Sequence, residues 1–263
     1  MSRGVCLLMA LALLAPRLAA AQMQPHRAEY VLRLGTAANG PRIGTAVQDI
    51  TLDCHGWHIK RDISTEIAIT STWKISVASR LDGEEPRDGT GFQYRLVQIQ
   101  NGQERDTTGK VDRSNGKLRA EIVSPDGPKG FVLPATTLMP VAAIGHLVDR
   151  LEANATAFPA LIFDAEILGD VFLVDVNELD RDALGAAPAA KKPVTVPAER
   201  SWPVSMAFTR GREQDQGPLF SVKADIYENG VLDRLTVDTG LLKVSADLQK
   251  LQMHKVPACS GSG

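Results

Sequence analysis

The stretch FQYRLVQIQNGQERDTTGKVD, residues 92–112, decides the fold class of this chain. Apolar side chains recur near alternate positions up to Asn101-Gly102, and a second extended segment covers residues 104–112. Alternation of this kind buries one face of a strand and leaves the other in water. Because Asn-Gly favours a tight turn between antiparallel strands, the stretch predicts a β-hairpin.

The same signals extend outward along the chain. The predicted strands cover residues 28–34, 44–53, 57–63, 66–71, 74–81, 92–101, 104–112, 117–123, 161–163, 171–176, 204–209, 219–227 and 232–237. The turn dipeptides are Asn39-Gly40, Asp82-Gly83, Asn101-Gly102, Asn115-Gly116, Asp126-Gly127 and Asn229-Gly230. Such regular spacing predicts a mainly β fold, a large antiparallel meander rather than βαβ units.

Other segments depart from the strand pattern. Residues 141–154 predict a helix, because Ile144, Leu147 and Leu151 form an apolar stripe, and we expect this helix to plug the concave face of a curved sheet. Residues 242–251 predict a strand followed by a short second helix. The proline- and alanine-rich text near residues 185–203 predicts an exposed loop inside the domain.

The first 21 residues read as a signal peptide, with a basic start, a short apolar core and cleavage expected after Ala21. Residues 22–263 then form a single exported domain, expected in the periplasm, with no transmembrane segment. Without Arg3 and Arg17, 27 basic face 31 acidic residues, a net charge of −4. No basic cluster is present, so the sequence disfavours nucleic acid and anionic membrane partners.

Two cysteines, Cys54 and Cys259, remain once Cys6 leaves with the leader. An oxidising compartment allows a disulfide to persist, and closing a loop of about 200 residues stabilises by roughly 5 kcal/mol in the chain-entropy model. A pair of reactive thiols is the alternative, although neither cysteine belongs to a Cys-x-x-Cys motif.

Two motifs resemble functional sites, one a catalytic motif and the other a metal-binding histidine pair. Asp238-Thr239-Gly240 matches the catalytic turn of aspartic proteases, but such catalysis requires two carboxylates, and the chain has no second copy. We therefore expect a β-turn there. His55 and His58 form a potential metal pair, yet on a strand this spacing sends the side chains to opposite faces, so no metal site and no cofactor are predicted.

Three bulky side chains are candidates for a structural role or a ligand contact. Trp57, near Cys54, is expected to anchor packing beside a disulfide, with ligand stacking as the alternative. His146 lies on the predicted helix beside its apolar stripe. Trp202 precedes Pro203 and a predicted strand.

An ordered set of segments resembles a known family. The segments are His26-Arg27-Ala28-Glu29-Tyr30, Asp53-Cys54-His55-Gly56-Trp57, Leu133-Pro134, Leu138-Met139-Pro140, His146, Phe163-Asp164, Trp202-Pro203-Val204, Glu228-Asn229-Gly230-Val231 and Cys259. Their order is similar to that in the EipB-type cell-envelope integrity proteins of alphaproteobacteria. The resemblance implies an antiparallel β-spiral around helical elements, partly similar to the half-barrels of LolA and LolB, with the two cysteines joined.

The resemblance also implies a non-enzymatic role in maintaining the cell envelope, through periplasmic partners such as tetratricopeptide-repeat proteins. The alternative function is a carrier or sensor that holds a lipid or an acylated chain in its concave sheet. A carrier should have an open apolar lining, whereas Met139, Leu147 and Leu151 are expected to fill the hollow.

Overall fold

The computed structural model describes residues 23–37, 39–68, 70, 72–167, 169–184, 194–211 and 217–259, which contain fourteen strands in one sheet and one α-helix. The strands are β1 His26–Leu34, β2 Arg42–Leu52, β3 Gly56–Ala68, β4 Lys74–Pro86, β5 Phe92–Gln100, β6 Gln103–Ser114, β7 Lys117–Ser124, β8 Gly127–Leu133, β9 Ala157–Asp164, β10 Asp170–Glu178, β11 Ser201–Arg210, β12 Phe220–Tyr227, β13 Leu232–Asp238 and β14 Lys243–Met253. Helix α1 spans Pro140–Glu152. The predicted mainly β, antiparallel fold is confirmed.

The opening hairpin forms as the sequence predicts. On β5, Phe92, Tyr94 and Leu96 are buried while the side chains between them are exposed. Gln100 pairs with Gln103, so two residues close the turn, and both have positive φ, 49° at Asn101 and 82° at Gly102. Asn and Gly tolerate this left-handed backbone, which a two-residue hairpin turn requires.

The turn predicted at Asp82-Gly83 is wrong. Both residues lie within β4, which stays paired with β3 up to the Gly56 and Pro86 partners. A Cβ atom at Gly83 would lie 2.6 Å from Cε2 of Phe92. The glycine therefore makes room for the Phe92 ring on the neighbouring strand instead of reversing the chain.

Several boundaries also differ from the prediction. The segments 57–63 and 66–71 belong to one long strand, β3, which ends at Ala68. Strand β8 was not predicted, because glycine and proline obscure its pattern. The short helix expected at the end of 242–251 is wrong, since β14 continues as a strand to Met253 in pairing with β1.

The predicted loop near 185–203 ends earlier than expected. Residues 185–193 lie outside the described residues, 194–200 form no helix or strand, and β11 begins at Ser201. A single 3-10 turn, Arg181–Leu184, precedes the loop, so the described part of the chain has one α-helix plus this turn.

The sheet consists of two meanders joined in its middle. Its strand order runs β8 to β1 and then β14 to β9, so that β1 pairs with β14 and the edges are β8 and β9. Each neighbouring pair is antiparallel. The first and last strands are therefore adjacent at the centre of the sheet, and the sheet is not closed.

An antiparallel meander sends alternate connections to opposite rims of the sheet. The turn rim, as we name it, carries the β1–β2, β3–β4, β5–β6, β7–β8, β9–β10, β11–β12 and β13–β14 turns. The last of these joins the others because Leu34 at the end of β1 pairs with Val244 at the start of β14. The clasp rim carries the remaining connections, with Met23 and Cys259 at the two ends of the described chain.

The sheet curls so that its two halves meet across the interior. Phe163 of β9 packs 6.4 Å from the Phe92 ring and 6.0 Å from the Tyr94 ring of β5. In the β9–β10 turn, Glu166 receives hydrogen bonds from Arg61 of β3 and from Ser79 of β4. Aromatic packing and a half-buried ion pair thus hold the β9 edge over the inner face of β3–β5.

Helix α1 lies in this interior, as predicted, between the two halves. Val141, Leu147, Val148 and Leu151 are buried on it, and Met139 just before it is fully buried. The first turn of the helix contacts β4, and Leu138 bridges to Ile162 of β9. The helix fills much of the hollow; the likeness to LolA and LolB stays a prediction.

Candidate functional site

The disulfide joins Cys54 and Cys259, as the sequence predicts, with their Cα atoms 5.5 Å apart across a sequence separation of 205. We call it the clasp. Cys54 follows β2, whereas Cys259 ends a segment that leaves β14. The bond therefore crosses the ends of β1 and β2, at the centre of the sheet and not at its edges, and it ties together the junction of the two meanders.

Polar contacts position both sides of the clasp. Asp53 Oδ1 accepts hydrogen bonds from the backbone nitrogens of His55 and Gly56, which fixes the β2–β3 turn. The Arg87 guanidinium donates to the Asp53 carbonyl oxygen and lies 3.5 Å from Cys259 Sγ. These contacts hold the turn and the C-terminal segment together around an exposed disulfide.

The returning C-terminal segment is also held before it reaches Cys259. The His254 backbone nitrogen donates to the Pro25 carbonyl oxygen at 2.9 Å. Its Nε2 atom lies 2.8 Å from Asp49 Oδ1 of β2. The clasp is thus the last of several contacts between the C-terminal segment and the first two strands.

The histidine pair does not converge on a metal site. His58 Nε2 lies 2.8 Å from Asp53 Oδ2, and its Nδ1 lies 3.6 Å from Glu84 Oε1, whereas His55 is exposed. The hydrogen bond with His58 is the main cause that lowers the pKa of Asp53. Within the described residues, no group of three or more potential metal ligands is present.

Trp57 is buried close to the clasp. It is 9% exposed and belongs to the core of the first meander. On β3 it pairs with Leu52 of β2 on one side and with Glu85 of β4 on the other. Trp57 lines an open pocket of about 350 Å³, and Phe92 and Glu84 are among its other lining residues. Its role as a packing anchor or a ligand contact stays a prediction.

Trp202 lies on β11, far from Trp57 in the sheet order. It is half-buried against the core of the second meander, and the Arg200 guanidinium lies 5.3 Å from its ring. Arg200 also forms ion pairs with Glu152 of α1 and Glu228. Trp202 thus lies beside a small charged network that joins the end of α1 to β11.

His146 lies on α1, half-buried, with its ring 6.2 Å from that of Phe158 and nearly perpendicular to it. Burial and then the positive charge of Arg150 lower the pKa of His146. The imidazole is therefore favoured in its neutral form. The structure does not bring His146, Trp57 and Trp202 together: Trp57 belongs to one core, and the other two lie at the second core.

Glu85 was missed by the sequence reasoning. Its buried carboxylate, on β4, accepts hydrogen bonds of 2.7 Å each from the backbone nitrogens of Val141 and Ala142 at the start of α1. Burial raises its pKa to about 7. A signal existed, since Met139 at the N-cap position offers no side-chain acceptor, and the free N–H groups need one from elsewhere.

The Asp238-Thr239-Gly240 motif forms the predicted turn between β13 and β14. Asp238 Oδ1 accepts a hydrogen bond of 2.9 Å from the Gly240 nitrogen, and Oδ2 pairs with Lys243 at 2.9 Å. The lysine and that backbone bond lower the pKa of Asp238. Both carboxylate oxygens thus serve the turn.

An apolar cavity of about 260 Å³ remains between α1 and the sheet. Ile144 and Leu147 of α1 face it on one side and aromatic rings on the other, among them Phe163, Phe172 and Phe208. Arg61 and Glu166 lie at its polar end. The helix therefore plugs the hollow in part and leaves room for a narrow apolar group.

Among the described residues, no helix is long and apolar enough to cross a membrane.

Comparisons with known proteins agree with this architecture. A solved structure of a beta-barrel-like protein from Brucella abortus matches with a TM-score of 0.73 at 20% identity, covering 89% of this chain and 100% of that one. The "Cell envelope integrity protein EipB" of Brucella abortus (strain 2308) is 21% identical over 243 residues, 89% of this chain and 86% of that protein. The model of the EipB-like family matches residues 17–255. This chain therefore belongs to the EipB-like family.

Proposed function

We propose that this chain is a non-enzymatic periplasmic protein that supports cell-envelope integrity through protein partners. The name of the family relative from Brucella supports an envelope role. The signal peptide expected at residues 1–21, which lie outside the described residues, would deliver the chain to the periplasm.

The proposal that this chain is not an enzyme rests on the structural roles of its buried ionisable side chains. Glu85 caps α1, and Glu166 pairs with Arg61 across the curl. Asp164 accepts backbone hydrogen bonds from the turn that follows it. Asp164 and Glu166 line the cavity beside α1 together with Arg61, but the hydrogen bonds that these carboxylates accept come from the turn backbone and from an arginine and a serine that hold the curl. Enzymes usually give such perturbed groups complementary roles in a cleft, whereas here each carboxylate has a structural role.

A deletion strain tests this proposal. We expect loss of the gene to increase sensitivity to detergent and to cell-wall drugs, and a plasmid copy to restore resistance. Crosslinking in intact cells, followed by affinity capture, should recover periplasmic proteins such as tetratricopeptide-repeat proteins. Normal resistance in the deletion strain would contradict the proposed role.

A second candidate, a carrier or sensor for lipid or acylated chains, is favoured by the cavity beside α1. Its volume of about 260 Å³ exceeds the roughly 150 Å³ of an apolar cavity that binds benzene. It is below the range of typical ligand sites, about 300–1,000 Å³. One acyl chain is therefore the largest ligand that suits it without movement of α1.

Native mass spectrometry of protein purified from periplasm distinguishes the two candidates. A co-purifying lipid, lost when Ile144 is replaced by the bulkier Phe, would support the carrier. An unliganded mass in every preparation would count against it.

A further inference from the structure

The large apolar side chains that the described residues expose are concentrated at the turn rim. Eight of the ten lie in its turns or within a few residues of them, while Val132 and Val256 lie at the clasp rim. The eight are Trp73, Val77, Ile99, Val123, Ile167, Leu219, Leu241 and Leu242. Scattered apolar residues are normal on protein surfaces, but their concentration at one rim indicates an interaction surface.

The β13–β14 turn presents a leucine to solvent in a fixed conformation. Leu241 is 93% exposed. The turn around it is closed by the Thr239 nitrogen donating to the Leu242 carbonyl oxygen, and by the Leu242 nitrogen donating to Thr239 Oγ1 at 3.1 Å. Gly240, with φ of 79°, accepts the left-handed backbone that the turn needs. The local bonds therefore hold the leucine away from the protein.

The β3–β4 hairpin presents a tryptophan in a similar way. It extends past both neighbours, because the β2 pairing ends at Thr65 and the β5 pairing ends at Val77. At its tip, the Trp73 nitrogen donates to Thr70 Oγ1 at 3.0 Å, and the Thr70 nitrogen donates to the Trp73 carbonyl oxygen. Trp73, 55% exposed, is therefore held at the end of a projecting hairpin.

Several charges at the turn rim are neutralised by local ion pairs. Lys74 pairs with Glu66 at 2.7 Å and Lys243 with Asp238 at 2.9 Å. Arg105 pairs with an aspartate in the β7–β8 turn. These three pairs weaken the positive field that would attract an anionic partner over a distance, which leaves the exposed apolar side chains as the more important contacts that this rim offers.

We infer that the turn rim docks on the surface of a lipid bilayer, with the hairpin tips inserted at the headgroup level. The apolar side chains lie on separate turns with polar residues between them. A plane contacts several separate tips at once, whereas a protein interface buries a contiguous core. Tryptophan and leucine are typical of segments that lie in the bilayer interface. The inference rests on the proposed envelope role and adds a lipid surface to the protein partners proposed above.

Flotation with phosphatidylcholine vesicles tests the inference on the full mature chain. We expect the wild type to float with the vesicles, and the variant Trp73→Asp/Leu241→Asp to partition on the order of 100-fold less, about tenfold for each lost side chain. The matched control is Val132→Asp/Val256→Asp, which adds the same charge at the clasp rim and should stay within about threefold of the wild type. Thermal melting of all three proteins checks that each is folded.

The dependence of vesicle binding on salt and on lipid charge provides a second test. Partition should change less than about twofold between about 50 and 500 mM salt, and phosphatidylglycerol should add little, because screening acts on charges and not on apolar contacts. Failure of the wild type to float, equal losses in both double variants, or a steep fall with salt would overturn the inference. A wild type that does not float but loses a captured protein when the rim is changed would assign the rim to a protein partner instead.

The deletion strain separates this inference from the proposed function. If vesicle binding follows the expected pattern while the deletion strain keeps a normal envelope, the envelope role fails and the docking surface stands. If the strain is sensitive and the folded rim variant restores full resistance, docking at this rim is not used for the envelope role and the inference is overturned.

Discussion

The clasp rim and the turn rim belong to the same sheet but use their side chains differently. At the clasp rim, ionisable groups bind distant parts of the chain: Glu85 holds the start of α1, and Arg87 contacts both the β2–β3 turn and Cys259. At the turn rim, Lys74 and Lys243 bind carboxylates of their own hairpins, while leucine and tryptophan project into solvent. The clasp rim assembles the molecule, whereas the turn rim presents a surface everywhere except at the β9–β10 turn, where Glu166 binds Arg61 across the curl.

This difference follows from the topology. Because alternate connections of a meander meet at opposite rims, a chemical difference between odd and even turns becomes a difference between two faces of the protein. Each of the seven connections at the turn rim joins two strands that are neighbours in the sheet. The clasp rim receives the first and last described residues, Met23 and Cys259, and the connection that contains α1. The comparison predicts that substitutions at the clasp rim reduce stability and that substitutions of the exposed apolar side chains at the turn rim do not.

Loss of the clasp should have the largest effect. Cys54→Ser is expected to lower the free energy of unfolding by about 5 kcal/mol in the chain-entropy model, since the closed loop spans 205 residues. Urea denaturation with and without a reducing agent measures it. The double variant Cys54→Ser/Cys259→Ser is the control and should equal the single variant. An unchanged wild-type midpoint under reduction would show that the clasp adds no stability.

Replacement of Trp57, the tryptophan beside the clasp, should have the second-largest effect on stability. Trp57→Ala removes a side chain that is 9% exposed and is expected to cost about 3 to 5 kcal/mol. Trp202→Ala, at a half-buried site, should cost about half as much. The pair is compared by urea denaturation, and both losses should appear as reduced stability. If the Trp57 variant keeps its stability but fails in the complementation assay, Trp57 is a ligand contact.

Glu85 should make the free energy of unfolding depend on pH. Its folded pKa of about 7 lies above the ordinary value of 4.5, so the unfolded chain ionises first as pH rises. Stability relative to Glu85→Gln is therefore fully present below about pH 4.5 and falls by about 3 kcal/mol as pH rises through 7. Denaturation of both proteins at several pH values measures the difference. A constant difference would mean that this carboxyl does not titrate differently in the folded state.

The sequence predicts the strands and turns well where local chemistry decides them. Asn101-Gly102 needs its positive φ values whatever packs around it, so the turn can be predicted. The role of Gly83 could not be predicted from the sequence, because a glycine is needed there only to make room for the Phe92 ring on the next strand. The β14 segment continues as a strand because β1 pairs with it, and that pairing joins residues more than 200 positions apart.

The candidate site shows the same limit. Cysteine counting predicts the clasp, since two thiols allow one pairing, but it cannot place the bond at the centre of the sheet. Glu85 lies outside every predicted strand and resembles an ordinary surface glutamate in the sequence, and only the fold brings it to Val141. The concentration of apolar residues at one rim is equally invisible, because Trp73 and Leu241 are 168 positions apart and become related only through strand order.

The turn rim should show the smallest effects on stability. Leu241→Asp exchanges a side chain that is 93% exposed and is expected to change the free energy of unfolding by less than about 0.5 kcal/mol. Asp238→Asn, in the same turn, provides the pH contrast to Glu85. Because Lys243 and the Gly240 nitrogen lower the pKa of Asp238, its contribution is present at neutral pH and is lost on acidification, the opposite direction. Urea denaturation at neutral pH, repeated in acid, measures both variants. A large loss for Leu241→Asp at neutral pH would mean that this leucine packs against the protein, and the division between an assembling rim and a presenting rim would fail.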